Sequence, residues 1–176
     1  MQLYKIVFGG AMGAGKSQAI ASLSDIKVLS TEAMNTDDIA HSKLLTTVGI
    51  DYGEIMIDEN TRIGLYGTPG QDRFSFIWPI VAKGALGVIV LVDHTSINPI
   101  QDLSSYLAAF DNSCDNIIIG VTHIDEKPER PVFIYRDWLQ EQQRSDPIFF
   151  IDARCRDDVL LLIETMLTTI EVRSGS

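Results

Sequence analysis

Eight residues close to the N-terminus constrain this chain more than any other stretch. Gly10-Ala11-Met12-Gly13-Ala14-Gly15-Lys16-Ser17 follows an apolar run at 3–8 and opens a helical pattern that continues to about residue 24. A strand, a glycine-rich turn and a helix in that order make a cradle for phosphate. The glycines let successive backbone N–H groups point inward, and the helix N-terminus adds a favourable dipole. In the pattern G-x-x-x-x-G-K-[ST] the lysine reaches the β- and γ-phosphates and the hydroxyl coordinates magnesium. The spacing therefore predicts a nucleoside triphosphate site built from Gly10, Gly13, Ala14, Gly15, Lys16 and Ser17, with Ser17 as a metal ligand.

The rest of the chain supplies the scaffold such a loop needs. Residues 50–57 and 61–66 read as two strands joined at the polar turn Asp58-Glu59-Asn60, which suits a hairpin. Residues 85–92 and 116–121 are continuous apolar runs, the pattern of parallel strands covered on both faces, and 149–151 is a shorter sixth strand. Leu103, Tyr106, Leu107 and Phe110 recur at helical spacing, as do Tyr135, Trp138 and Leu139 in a helix opened near Pro131. Val159, Leu162, Ile163, Met166 and Ile170 stripe a last helix. This alternation predicts an α/β three-layer P-loop domain over residues 1–176, with a six-stranded, mostly parallel sheet and one antiparallel hairpin strand. Two stretches, 29–47 and 67–83, resist assignment, and long irregular segments in a compact domain are usually functional or disordered.

Composition removes whole classes of function. Fourteen basic against 24 acidic residues leave a formal charge of −10, which argues against coating nucleic acid or an anionic membrane. The two cysteines, Cys114 and Cys155, stand alone, make no disulfide framework and have no zinc spacing, and Cys155 is expected to pack beside the base loop. His41 and His94 read as surface or strand-end residues, not ligands. The longest apolar run, 84–92, falls far short of the roughly 18 residues that span a bilayer. With no secretory leader, N-terminal myristoyl glycine or prenylation box, the expectation is a cytoplasmic domain without a direct membrane anchor.

Asp125 closes Val121-Thr122-His123-Ile124-Asp125 at a strand end, where open α/β sheets bind ligands. A carboxylate there accepts hydrogen bonds from N1–H and the 2-amino group of guanine, a donor pair that adenine lacks. Together with Thr47-Val48-Gly49-Ile50-Asp51, Gly70-Gln71-Asp72-Arg73-Phe74 and Asp152-Ala153-Arg154, these motifs resemble the Ras-like small GTPases over nearly the whole chain. Tyr66-Gly67-Thr68-Pro69-Gly70-Gln71 is most similar to the prokaryotic branch that includes gliding-motility and polarity GTPases, whose members often work beside roadblock-domain regulators.

The resemblance implies a GTP/GDP switch with Mg2+. Thr47, favoured over Thr46 by the Val-Gly-Ile-Asp that follows, would bind magnesium and sense the γ-phosphate. Gly70 would contact the γ-phosphate through its N–H, and Gln71 would orient the attacking water, with Lys16 as the third catalytic group. Thr122, His123, Asp125, Asp152, Ala153 and Arg154 would form the base site, Thr122 tying it to the phosphate loop and His123 covering the guanine face.

Departures from the pattern carry their own expectations. Gly67 stands where the family has a magnesium-binding aspartate, leaving Asp51 or Asp58 as alternative carboxylates, and Met12 crowds the γ-phosphate side. No arginine occurs in 29–47 and Arg73 is either catalytic or structural, so hydrolysis is expected to be slow until a partner adds an arginine or reorders Gln71. Phe74, Phe76, Ile77 and Trp78 either face that partner or seat a helix on the sheet. A hydrolysis-deficient nucleotide scaffold is the alternative, and a small-molecule kinase using Arg130, Arg136 and Arg144 is the third reading.

Overall fold

The computed structural model describes residues 1–30 and 49–175. Among them seven strands form one sheet: β1 (Gln2–Gly9), β2 (Leu29–Ser30), β3 (Asp51–Asp58), β4 (Thr61–Gly67), β5 (Gly87–Asp93), β6 (Ile117–Thr122) and β7 (Ile148–Phe150). Five α-helices accompany them: α1 (Lys16–Leu23), α2 (Trp78–Ala82), α3 (Pro99–Phe110), α4 (Phe133–Glu141) and α5 (Arg156–Ser174). The order across the sheet is β2-β3-β4-β1-β5-β6-β7. From β4 to β7 the neighbours run parallel, while β3 lies antiparallel to both β4 and β2. The fold is thus the expected mixed α/β domain, consistent with a P-loop GTPase fold, with one strand more than the six expected.

The extra strand is β2, two residues at the edge of a stretch without strand periodicity. Leu29 and Ser30 are extended because they pair with Tyr52 and Asp51, a long-range cause that no local pattern records. The second irregular stretch also acquires structure, a 3-10 turn at Asp72–Ile77 running into α2.

Strand parity builds the two cores. Ile6 and Phe8 of β1, Ile89 and Leu91 of β5 and Ile118 of β6 face α1 and α5, where Ile20, Leu23, Leu162 and Ile163 cover them. The alternate residues, Val7, Val88, Val90, Ile119 and Val121, face the other way, against Trp78, Leu103, Leu107, Phe110 and Tyr135. Successive strand side chains point to opposite faces, so an unbroken apolar strand feeds a core on each side. The helix termini obey local chemistry. Asn98 caps α3 by accepting from the Gln101 backbone N–H at 3.1 Å, and α5 carries Asp157 and Asp158 in its first turn and Arg173 in its last.

Burial corrects two side chains. His94 lies at a strand end but is fully buried, its Nδ1 2.7 Å from the Tyr135 hydroxyl and its Nε2 3.1 Å from the Arg130 carbonyl. Cys155 is exposed at the start of α5 instead of packed beside the base loop. A residue whose neighbours come from distant segments shows little of its burial in local sequence.

Candidate functional site

The C-terminal ends of β1, β4, β5 and β6 converge on one edge of the sheet, and the candidate residues follow those ends. After β1, the loop turns through Gly10, Gly13 and Gly15 at φ of 143, 80 and 101°, angles that a side chain would strain. Gly15 then opens α1 with no side chain to occupy the helix's first N–H groups, which leaves them available to an anion. A Cβ at Gly15 would stand 2.9 Å from that of Ala153, so the glycine also lets the two loops touch.

Lys16 is only 8% exposed. Its ammonium donates to the Gly10 carbonyl and, at 2.8 Å, to the Ala11 carbonyl. Burial pushes its pKa down to about 8, against the opposing pull of the Asp51 charge. The Ser17 hydroxyl donates to the Asp51 carboxylate. Asp58, the other carboxylate considered, is exposed at the far end of β3 and accepts the Asn60 N–H of the hairpin turn at 2.8 Å. Hydrogen bonds within that turn hold its pKa below the usual carboxylate value.

A cavity of about 400 Å³ is lined by Gly13, Lys16, Ser17, Asp51, Gly70 and Gln71, among others. A second, of about 230 Å³, is lined by Thr122, His123, Asp125, Asp152, Ala153 and Arg154. Gly15 and Gln18 line both, so a phosphate-sized half and a base-sized half adjoin at the start of α1. Thr122 fastens the halves: its buried hydroxyl donates to the Ala14 carbonyl at 2.9 Å, the tie expected from the sequence. Thr122→Val keeps the shape and strands that buried acceptor, so denaturant unfolding should show a loss of about 1–3 kcal/mol, with Thr122→Ser close to the unaltered chain.

In the second cavity, Arg154 grips Asp152 through its Nε and Nη2, at 2.9 and 2.8 Å, and the Arg154 backbone N–H adds a third bond. These hydrogen bonds pull the Asp152 pKa down to about 2. The Asp152 N–H in turn donates to Asp158 at the head of α5, which fixes the loop that presents Ala153. His123 takes a left-handed backbone with φ of 59°, and its Nδ1 lies 3.3 Å from Asp93. Asp93 was not expected. It ends β5 opposite Thr122, and that register was the available signal.

Gly70 crosses directly over the phosphate loop: a Cβ there would lie 2.5 Å from Met12 N and 2.9 Å from Ala11 C. Of the aromatic residues nearby, Phe74 and Trp78 are buried, and Trp78 donates its indole N–H to the Pro69 carbonyl at 2.7 Å. Phe76 and Ile80 are 65% and 66% exposed. Arg73 stacks over the Phe74 ring at 4.7 Å, a packing role. Arg130 donates to the His94 and Ser96 carbonyls, Arg136 lies over the Phe150 ring, and Arg144 pairs with Asp111 and Asp146. None of these arginines lines the phosphate-sized cavity. Thr47, Thr46 and His41 lie outside the described residues.

No family model matches the chain. It is 27% identical over 173 residues to Ras-related protein Rab-18 of Caenorhabditis elegans, covering 94% of this chain and 79% of the relative. The Rab-18 of Caenorhabditis briggsae gives the same identity and coverage. Ras-related protein Rab-18-B of Danio rerio is 28% identical over 174 residues, covering 94% of this chain and 78% of its own. The chain is therefore similar to Ras-related proteins across nearly its whole length, which supports the Ras-like resemblance of its motifs.

Proposed function

We propose that this chain is a guanine-nucleotide switch that binds GTP and GDP with Mg2+, hydrolyses GTP slowly, and signals to a protein partner. The observation that carries the reading is the pair of adjoining cavities that share Gly15 and Gln18, with a glycine-rich loop and Lys16 at one end and Asp125 at the other. Residues 1–176 act as one domain in this reading.

The loop N–H groups from Gly13 to Ser17 and the Lys16 ammonium hold the phosphates, and Asp125 accepts from guanine while Ala153 presents its N–H to the base carbonyl. Thr122, His123, Asp152 and Arg154 shape the base pocket. The oxygen donors at Ser17 and Asp51 suit magnesium, a hard cation that takes oxygen ligands, and Thr47 is the remaining candidate ligand. Magnesium would supply charge neutralisation on the β,γ-phosphates. Gly70, poised over the loop, offers its N–H to the γ-phosphate, and Gln71 on the cavity wall positions water. Phosphoryl transfer asks for positioning and charge more than covalent work, and no arginine lines this cavity among the described residues. A partner supplying one would raise the rate by about 10³–10⁵. The exposed Phe76 and Ile80 beside Gln71 are the surface for it, and a roadblock-domain protein is the partner class that the Gly67-Thr68-Pro69-Gly70-Gln71 segment favours. We place the chain in the cytoplasm; no helix among the described residues is long and apolar enough to cross a membrane.

Calorimetry with GDP, GTP and ATP, with and without magnesium, tests the reading. Guanine nucleotides should bind about 5- to 150-fold more tightly than ATP, since the Asp125 contact to a donor pair that adenine lacks discriminates by about 1–3 kcal/mol. Equal affinity for ATP would overturn the guanine assignment. The scaffold alternative rests on Met12 at the cavity wall and on Gly67, and single-turnover phosphate release with GTP alone separates it from the switch.

A further inference from the structure

We propose that Asp51, one strand away from the expected position, is the carboxylate that anchors the magnesium site. This rests on the nucleotide-switch reading. In P-loop NTPases the loop hydroxyl shares the metal with an aspartate on a neighbouring strand. Two strands flank β1: β4, which ends in Gly67 without a side chain, and β5, which ends in Asp93, whose carboxylate accepts from Thr95 and faces His123.

The sheet register resolves where a carboxylate comes from. Gly67 pairs directly with Asp51 on antiparallel β3. A Cβ placed on Gly67 would lie 3.4 Å from the Asp51 Cβ and 3.7 Å from its Oδ2. The Asp51 carboxylate thus leans across into the space a side chain at 67 would enter. Its Oδ2 accepts the Ser17 hydroxyl, and it is the one carboxylate lining the phosphate-sized cavity among the described residues. With its proton given to Asp51, the Ser17 oxygen keeps its lone pairs for a cation, and the bond fixes its orientation and raises its basicity. Gly67 leaves open the space beside the Asp51 carboxylate.

Release of a fluorescent GDP analogue from the full chain, in EDTA and across a magnesium titration, tests the assignment. Each protein's rate in EDTA is its own reference. Magnesium should slow release from the unaltered chain. Asp51→Asn and Asp51→Ala should raise the magnesium concentration needed by about 10–100-fold, the usual effect of removing a partner that orients a metal ligand. Asp51→Gly combined with Gly67→Asp, which moves the carboxylate back to β4, should recover most of the response. An undiminished magnesium response in Asp51→Asn, or none in the unaltered chain, overturns the assignment. So does loss of folding in both single variants by circular dichroism, which would make Asp51 a residue of the sheet. Failure of the unaltered chain to bind the analogue even in EDTA overturns the switch reading itself.

Discussion

Lys16→Met is expected to weaken GDP binding by roughly 30- to 4,000-fold while making the nucleotide-free chain more stable. The first effect follows from removing one partner of a desolvated charge contact, about 2–5 kcal/mol. The second is less intuitive. Burial lowers the Lys16 pKa from 10.5 to about 8, so keeping the ammonium charged at neutral pH costs the folded chain about 3 kcal/mol. Methionine removes that cost and gives up two hydrogen bonds to loop carbonyls, each worth about 1 kcal/mol. The net gain of about 1–2 kcal/mol should appear as a melting temperature about 2–6 °C higher at pH 7.

The pH dependence separates this cause from any other. Between about pH 8 and pH 10.5 the folded chain has released the Lys16 proton while the unfolded chain still holds it. Stability therefore rises with pH through that window, and the advantage of Lys16→Met shrinks. Nucleotide affinity should move the other way, because phosphate favours the charged amine and binding takes up a proton. Thermal melts and titrations at pH 7 and pH 9.5 check both slopes. Parallel slopes, or a constant advantage for methionine, would show that Lys16 carries no buried-charge cost.

Gly70→Ala is the second large effect, and it should divide binding from catalysis. The added Cβ would stand 2.5 Å from Met12 N and 2.9 Å from Ala11 C, both backbone atoms of the phosphate loop. Backbone cannot rotate away as a side chain can, so the segment carrying Gly70 and Gln71 must lift off the loop. A displacement near 1 Å costs about 10²-fold in rate where positioning is the catalytic principle. GDP makes no demand on a γ-phosphate contact. Its affinity should stay near that of the unaltered chain while GTP hydrolysis falls about 10²-fold. Equal losses in both would mean that the substitution damages the loop itself.

These expectations also show what local sequence can carry. The phosphate loop was legible because every requirement is met within eight adjacent residues, and the central strands because Val88, Ile89, Val90 and Leu91 feed both faces at once. The choice between Asp51 and Asp58 was not legible. Both are strand-end acidic residues, and only the pairing with Gly67 puts one at Ser17. β2 stayed hidden because it is extended through its pairing with β3 and not by its own pattern, and His94 because Tyr135 and Arg130 arrive from far along the chain. Local pattern reports what a residue prefers; long-range register decides what it meets.

The opposite parity of the two cores has a consequence for how such a chain can change. One residue inserted within β5 would swap Ile89 and Leu91 with Val88 and Val90, exchanging the contents of two differently shaped interiors at once. The strands are therefore closed to insertion. The loops that follow β1, β5 and β6 carry the candidate chemistry and lie outside that parity constraint. Architecture and chemistry are held on separate stretches of one chain, so the site can be revised while the frame is inherited unchanged.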